Sequence, residues 1–298
     1  MTDNIKKTIK QYADIQEDQP LSRYTGFQTG GFASYLVFPD SPEKFVEVLK
    51  IIHKNKLAFY ILGGGTNVVA NDAGYNEIII VTTEVDSISI CEENINCGSG
   101  ALLRDICVKA EKSGLAGMEF AYGIPGTIGG AVFMNAGAFD GEIRNVVETV
   151  EVINAEGEIF NINNSSCMFG YRSSIFQSDE KLSIISVNLK LNRGNKNSIS
   201  SVMKDNIEKR KRNQPLEYPN CGSVFKRPEG AYASKLIDEC GLKGYKLGGA
   251  MVSEKHAGFI INYDNATTKD IIELIEYIQK EVKIKTEYWL IPEIRYLG

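Results

Sequence analysis

The chain has little of what metal, disulfide and membrane proteins need. Only two histidines, His53 and His256, occur in 298 residues, and the six cysteines at 91, 97, 107, 167, 221 and 240 include no Cys-x-x-Cys pair. Neither a metal site nor a disulfide framework is therefore expected. Long apolar runs are missing too: the longest, Leu57 to Leu62, has six residues, against the ~20 that a membrane span requires. The opening stretch Met1 to Lys10 is polar and lacks the apolar segment of a secretory signal, so a cytoplasmic protein without a membrane partner is expected; a monomer is the expectation for its assembly. A net charge of −5 argues against a nucleic-acid partner. The one basic stretch, Lys204 to Arg212, reads either as a solvated helix face or as a contact for a charged small molecule. With 43% hydrophobic and 24% charged residues, what remains is a globular chain with a sizeable core and more than one domain.

Periodicity organises that chain. Ile5, Ile9 and Tyr12 share a face of a short helix in an N-terminal arm, 1–20, ending near Pro20. A first α/β unit follows, with strands at Tyr35 to Phe38, Leu57 to Leu62 and Glu77 to Val81 around a helix carrying Phe45, Leu49 and Ile52. A second has short strands near Ile88 and Ile95 and a helix with Leu103, Ile106 and Ala110 on one face, stopped by Gly114. Val146 to Ala155 turns at Glu156-Gly157 into Ile159 to Ile162, and the alternating run from Ile185 to Leu191 reads as a half-buried strand. Asn192 to Asn197 is the linker candidate. A third, α+β unit then carries helices from Ser198 to Arg212, from Tyr232 to Cys240 and around Ile271 to Val282, with a strand at Gly258 to Tyr263.

Two glycine-rich loops carry the chemical signal. Gly63-Gly64-Gly65-Thr66-Asn67 follows the apolar strand directly, where bare backbone N–H groups suit an anion such as a pyrophosphate. The spacing is not the dinucleotide G-x-G-x-x-G, and a tight turn between strands reads equally well. The second loop runs Tyr122-Gly123-Ile124-Pro125-Gly126-Thr127-Ile128-Gly129-Gly130-Ala131 and on to Asn135-Ala136-Gly137. Five glycines in fifteen residues exceed what one turn uses. Pro125 stiffens them into a pre-shaped surface for a polyanionic cofactor, with Thr127 and Asn135 as side-chain partners.

Around these loops the sequence resembles the UDP-N-acetylenolpyruvoylglucosamine reductases, the MurB family. The resemblance runs in order through Pro20-Leu21-Ser22, Thr29-Gly30-Gly31, both loops, Gly170-Tyr171-Arg172-Ser173-Ser174, Gln214-Pro215-Leu216, Cys221-Gly222-Ser223-Val224-Phe225-Lys226, Gly241-Leu242-Lys243-Gly244 and Pro292-Glu293-Ile294-Arg295. It implies an α+β fold with an FAD-binding domain of the vanillyl-alcohol-oxidase (PCMH) type over 21–194, made of α/β subdomains 21–82 and 83–194. A C-terminal α+β substrate-binding domain over 195–298 would send its last strand back to the active site. The few residues after Leu191 leave no room for the tyrosine-bearing insertion of the family's longer type.

The resemblance further implies FAD as cofactor, NADPH as co-substrate and a UDP-sugar as substrate. Hydride would pass from flavin N5 to the terminal carbon of an enolpyruvyl ether, giving UDP-N-acetylmuramate for peptidoglycan synthesis. Charge then collects on the adjacent carbon and its carboxylate. Arg172 would hold that carboxylate, Ser223 would donate the proton, and a neutral or proton-sharing Glu293 would stabilise the enediolate. Cofactor contacts fall on Gly63, Gly64, Gly65, Thr66, Asn67, Tyr122, Gly123, Ile124, Pro125, Gly126, Thr127, Gly129, Gly130, Ala131, Asn135 and Gly137. Substrate contacts fall on Tyr171, Arg210, Lys243, His256, Asn262 and Arg295. One position departs from the pattern: Asn213 stands where many relatives have lysine, so the local positive charge must come from Arg210 or Arg212. An alternative is another FAD oxidoreductase on the same scaffold, acting on an alcohol or sugar, which would leave Ser223 and Glu293 unexplained.

Overall fold

The structure, a computed structural model, describes residues 1–179 and 181–298. Helices and sheets mix in it, and the chain divides into two compact units, each built from separate stretches. The first holds Met1–Glu17, Tyr35–Gly64 and Glu77–Glu208; the second holds Asp18–Ser34, Gly65–Asn76 and Lys209–Gly298.

The first unit contains two hydrophobic cores. One gathers Ile9, Val37, Phe45, Leu49, Ile52 and Ile80 beside a four-stranded sheet ordered Ala13–Pro20, Phe32–Pro39, Tyr75–Val81 and Phe59–Leu62. The helix Pro42–Lys54 packs there because its apolar residues recur every three or four positions. Its start is set by Pro42 at the first turn and by Ser41, whose hydroxyl accepts from the Lys44 N–H at 3.3 Å. The other core lies on a five-stranded antiparallel sheet ordered Ile159–Asn163, Val147–Ile153, Ser183–Lys190, Asn94–Gly98 and Ile88–Cys91. Helices Leu103–Lys112 and Ile128–Met134 bury Leu103, Ile106, Ile128 and Val132 in it. Each such side chain removed from water contributes about 1.5–3 kcal/mol.

The second unit centres on the helix Thr268–Thr286, whose Ile271, Leu274, Ile275, Ile278 and Val282 are buried. A capping box, Thr267 with Asp270, fixes its start. Around it stand the helix Ala233–Glu239 and a three-stranded antiparallel sheet of Lys246–Leu247, Ala250–Val252 and Ile260–Asn262. Arg295–Leu297 pairs in parallel with Val68–Ala70, and Phe27 and Val69 enter the same core as Val224, Leu274 and Leu290.

Several expectations change. The stretch 1–20 is no arm: its helix Asp3–Ile9 buries Ile9 completely, and Ala13–Pro20 is an edge strand. That strand was hidden because Ile15 is its only large apolar residue. The division expected at 194/195 falls at 208/209, and Asp18–Ser34 and Gly65–Asn76 go with the C-terminal stretch, because Phe27 and Val69 fill its core. Ser183–Lys190 is buried on both faces rather than one, since Val187 and Leu189 enter one core and Ile185 the other. The linker candidate is structured as well: Asn192–Arg193 pairs with Leu115–Ala116, and a helix begins at Lys196.

Candidate active site

In the first unit the two glycine loops meet. Gly64 ends its loop's share of this unit, and a Cβ placed on Gly63 would lie 2.5 Å from Thr127 Oγ1; only glycine allows this approach. Thr127 is the N-cap of the helix Ile128–Met134, its hydroxyl accepting from the Gly130 N–H at 3.4 Å. The next donors are committed too, Ile128 N–H to the Ala101 carbonyl and Gly129 N–H to the Ser99 carbonyl, both at 2.8 Å. Gly129 is bare because a Cβ there would press on Ser99, and Gly137 because one would meet Gly141 and Glu142. Gly130 is exposed, and a Cβ on it would meet nothing closer than Thr127 Oγ1 at 3.5 Å.

Asn135 is fully buried and caps the C-terminal end of this helix in left-handed backbone, φ 44°. Its amide donates to Glu142 Oε2 at 2.8 Å and to the Gly170 carbonyl at 2.9 Å, while its oxygen accepts from the Arg144 N–H at 3.0 Å. The second loop is thereby joined to the turn that presents Arg172. In that turn Gly170 and Ser173 exchange backbone hydrogen bonds of 3.0 and 3.3 Å, leaving Tyr171 and Arg172 at the tip. Arg172 has φ 52° and donates from Nη2 to the Gly137 carbonyl at 3.0 Å. Gln177 donates from Nε2 to the Arg172 carbonyl at 3.1 Å and to the Phe133 carbonyl at 2.8 Å, and Ser174 Oγ donates to the same Phe133 carbonyl at 2.7 Å. Tyr171 is exposed, with the Arg172 guanidinium 5.3 Å from its ring centroid.

In the second unit backbone pairing brings Ser223 and Glu293 onto neighbouring segments. Ser223 bridges Phe259, Val224 N–H donates to the Gly258 carbonyl at 2.9 Å, and Glu293 N–H donates to the Val224 carbonyl at 2.7 Å. Ser223 is exposed and Glu293 half-buried. Gly222 precedes the serine at φ 76° with no atom near the position of a Cβ. Beneath the turn, Cys221 Sγ donates to the Val68 carbonyl at 3.5 Å, and burial pushes its thiol up to about 12. It is thus a neutral packing group and no nucleophile at neutral pH.

The expected substrate residues of this unit divide. Asn262 is engaged by scaffold, donating to the Phe27 carbonyl at 2.9 Å and accepting from the Ala266 N–H at 2.8 Å. His256 Nδ1 accepts from the Gly258 N–H at 3.1 Å, and burial holds the imidazole below its ordinary value, so it is neutral with its proton on Nε2. Lys243 makes an exposed ion pair with Asp238 at 2.7 Å. Arg295 is exposed. Arg210 differs from its neighbours: Lys209, Lys211 and Arg212 are exposed, whereas Arg210 is half-buried with Nε enclosed and without a hydrogen-bond partner, and burial lowers its tendency to hold charge.

The ties made by Asn135, Gln177, Ser174 and Cys221 were not legible as such in the sequence. Each joins residues distant along the chain, and no spacing signals them. Among the described residues no group of three or more metal-ligating side chains occurs, and no helix is long and apolar enough to cross a membrane.

A profile described as an FAD binding domain matches residues 33–163, which makes the chain a flavoprotein of mixed α+β fold. A second profile, the C-terminal domain of UDP-N-acetylenolpyruvoylglucosamine reductase, matches residues 214–297. The UDP-N-acetylenolpyruvoylglucosamine reductase of Clostridium botulinum strain Alaska E43 is 45% identical over 284 residues, covering 95% of this chain and 93% of that one. The Staphylococcus carnosus enzyme of that name is 42% identical over 299 residues, covering 99% and 97%. The crystal structure of the Thermus caldophilus reductase superposes with a TM-score of 0.83 at 31% identity, covering 96% of this chain and 100% of that one. The chain belongs to the UDP-N-acetylenolpyruvoylglucosamine reductase family.

The residues present fit FAD. Its diphosphate needs closely approachable backbone free of like charge, and neither 63–67 nor 122–131 contains a carboxylate. Gly130 is exposed with its Cβ position open, so its backbone can be approached closely where the two loops meet.

Proposed function

We propose that this chain reduces UDP-N-acetylenolpyruvoylglucosamine to UDP-N-acetylmuramate, a step of peptidoglycan precursor synthesis, with Arg172, Ser223 and Glu293 as its catalytic residues. Bound FAD, reduced by NADPH, supplies the hydride. Its arrival at the terminal carbon of the enolpyruvyl group puts negative charge on the adjacent carbon and carboxylate. The Arg172 guanidinium, aimed by its bond to the Gly137 carbonyl, holds that carboxylate through its planar fork. Ser223 gives its hydroxyl proton to the adjacent carbon, and Glu293 works as a neutral acid, because an ionised one would repel the charge it must stabilise.

The observation that carries this reading is the 2.7 Å bond from the Glu293 N–H to the Val224 carbonyl. It ties the main chain of Glu293 to the residue after Ser223, which supports reading the two as a proton donor and its helper. Arg210 supports the UDP-sugar part of the reading: an enclosed guanidinium nitrogen without a partner is completed by an anionic ligand such as a diphosphate. It supplies the charge that Asn213 does not.

Half-reactions followed by flavin absorbance test the assignment. Ser223→Ala is expected to leave reduction by NADPH within about twofold of the parent and to slow reoxidation by the enolpyruvyl UDP-sugar by ~10³-fold or more. Equal losses in both half-reactions would make Ser223 structural. In the same assay Arg210→Met should raise the substrate KM ~10-fold or more with kcat largely kept, the pattern of lost uniform binding. An unchanged KM would remove Arg210 from the substrate site.

A further inference from the structure

Glu293 is held through its main chain from two sides. Its N–H donates to the Val224 carbonyl at 2.7 Å, and its own carbonyl accepts from Asn67 Nδ2 at 3.2 Å. A second tie runs to the same asparagine: the Arg295 N–H donates to the Asn67 carbonyl at 2.9 Å, where the parallel pairing of Arg295–Leu297 with Val68–Ala70 begins. The carbonyl of Val68 also receives Cys221 Sγ at 3.5 Å, and that of Gly65 receives it at 4.0 Å. One short stretch, Gly65 to Val68, therefore seats both the Ser223 turn and the Glu293 strand. Two of these hydrogen bonds run main chain to main chain, and three use a side chain, Asn67 Nδ2 once and Cys221 Sγ twice. On the Glu293 side the Asn67 amide is a side-chain tie, and it steadies the 293–294 peptide plane that follows the Glu293 Cα.

We propose that Asn67 is a positioning residue for Glu293, acting through the Glu293 carbonyl rather than as a side-chain ligand of the cofactor. The inference rests on Glu293 acting as proposed above. The Nδ2 hydrogen given to the Glu293 carbonyl is not available to a phosphate, and its loss leaves the 293–294 peptide free to tilt while the Val224 carbonyl still holds the preceding 292–293 peptide. A misplacement of ~1 Å at a reacting group costs about 10²-fold in rate, so the chemical step should suffer while cofactor binding does not.

The test uses the full chain with Asn67→Ala, Glu293→Gln and the double variant, reading flavin affinity, both half-reactions and the pH profile of reoxidation. Asn67→Ala is expected to keep the FAD dissociation constant within about threefold and reduction by NADPH within about twofold, and to slow reoxidation by ~10–100-fold. The double variant should be no more than about threefold slower than Glu293→Gln alone, since groups acting as a unit are not additive. The alkaline limb of the pH profile, where a neutral Glu293 would lose its proton, should shift with Asn67→Ala and be absent in Glu293→Gln. Asn67→Ser, with a shorter polar side chain, takes the place of alanine if that variant does not fold. A weakened FAD constant with slow reduction would make Asn67 a cofactor ligand and overturn the proposal, as would losses that multiply in the double variant. Glu293→Gln with normal reoxidation would instead overturn the role of Glu293 itself, and this inference with it.

Discussion

Left-handed backbone at a residue other than glycine costs about 1–2 kcal/mol, and Arg172 pays it at φ 52°. The surroundings enforce that conformation: Gln177 takes the Arg172 carbonyl and Gly137 takes the guanidinium. Glycine would relax the backbone there and lose the cation, so the position trades stability for aim. His256 shows a related compromise. Burial disfavours its charged form, so the folded chain binds the proton more weakly than the unfolded chain does, and acid favours unfolding. The stability carried by the neutral ring is complete above the ordinary value of 6.5 and is lost as pH falls through that value toward the lowered folded one. The urea midpoint should therefore drop between about pH 7.5 and 5. His256→Asn, whose side-chain oxygen can still accept from the Gly258 N–H, should flatten that drop, and an unchanged slope would assign the pH dependence to other groups. At this scale the motif residues were legible in the sequence. What each of them bonds to within the fold was not, because the partners of Asn262 and Asn135 lie far along the chain.

The helix Ile128–Met134 illustrates how elements escape sequence reading. Gly129 and Gly130 disfavour a helix by about 1 kcal/mol each, so the stretch reads as a loop. Tertiary contact overrides the propensity: Gly129 must be bare to sit on Ser99, and the two ends are fastened by Thr127 and Asn135. Asn135 serves in two ways that substitution separates. Asn135→Gly removes the side-chain bonds to Glu142, Gly170 and Arg144 but keeps the left-handed turn, and should cost about 2–3 kcal/mol in chemical denaturation. Asn135→Ala adds the backbone penalty and should cost ~1 kcal/mol more. Equal losses would show that the αL geometry is unimportant. By contrast, Pro42–Lys54 and Thr268–Thr286 were plain from the start, because their apolar spacing and caps agree with their packing.

The whole molecule is discontinuous in a way that periodicity does not report. The chain passes between its two compact units at five points, 17/18, 34/35, 64/65, 76/77 and 208/209. Domain boundaries drawn from linkers follow sequence order, whereas Phe27 and Val69 belong by packing with Val224, Leu274 and Leu290. A fragment of residues 209–298 therefore lacks part of its core and the Val68–Ala70 partner of its last strand. Expressed alone, it should show no cooperative thermal unfolding by circular dichroism. A sharp transition would mean that the early segments are dispensable.

The same interleaving sets a timetable during synthesis. Phe27 emerges from the ribosome with the first tenth of the chain, but apart from Val69 the buried residues of its core run from Cys221 to Leu290. At ~5–20 residues per second, its segment waits roughly ten to forty seconds for that company. Through that interval the Phe27 side chain of the nascent protein stays uncovered, open to chaperones and to neighbouring chains, and the last ninety residues release it from that wait.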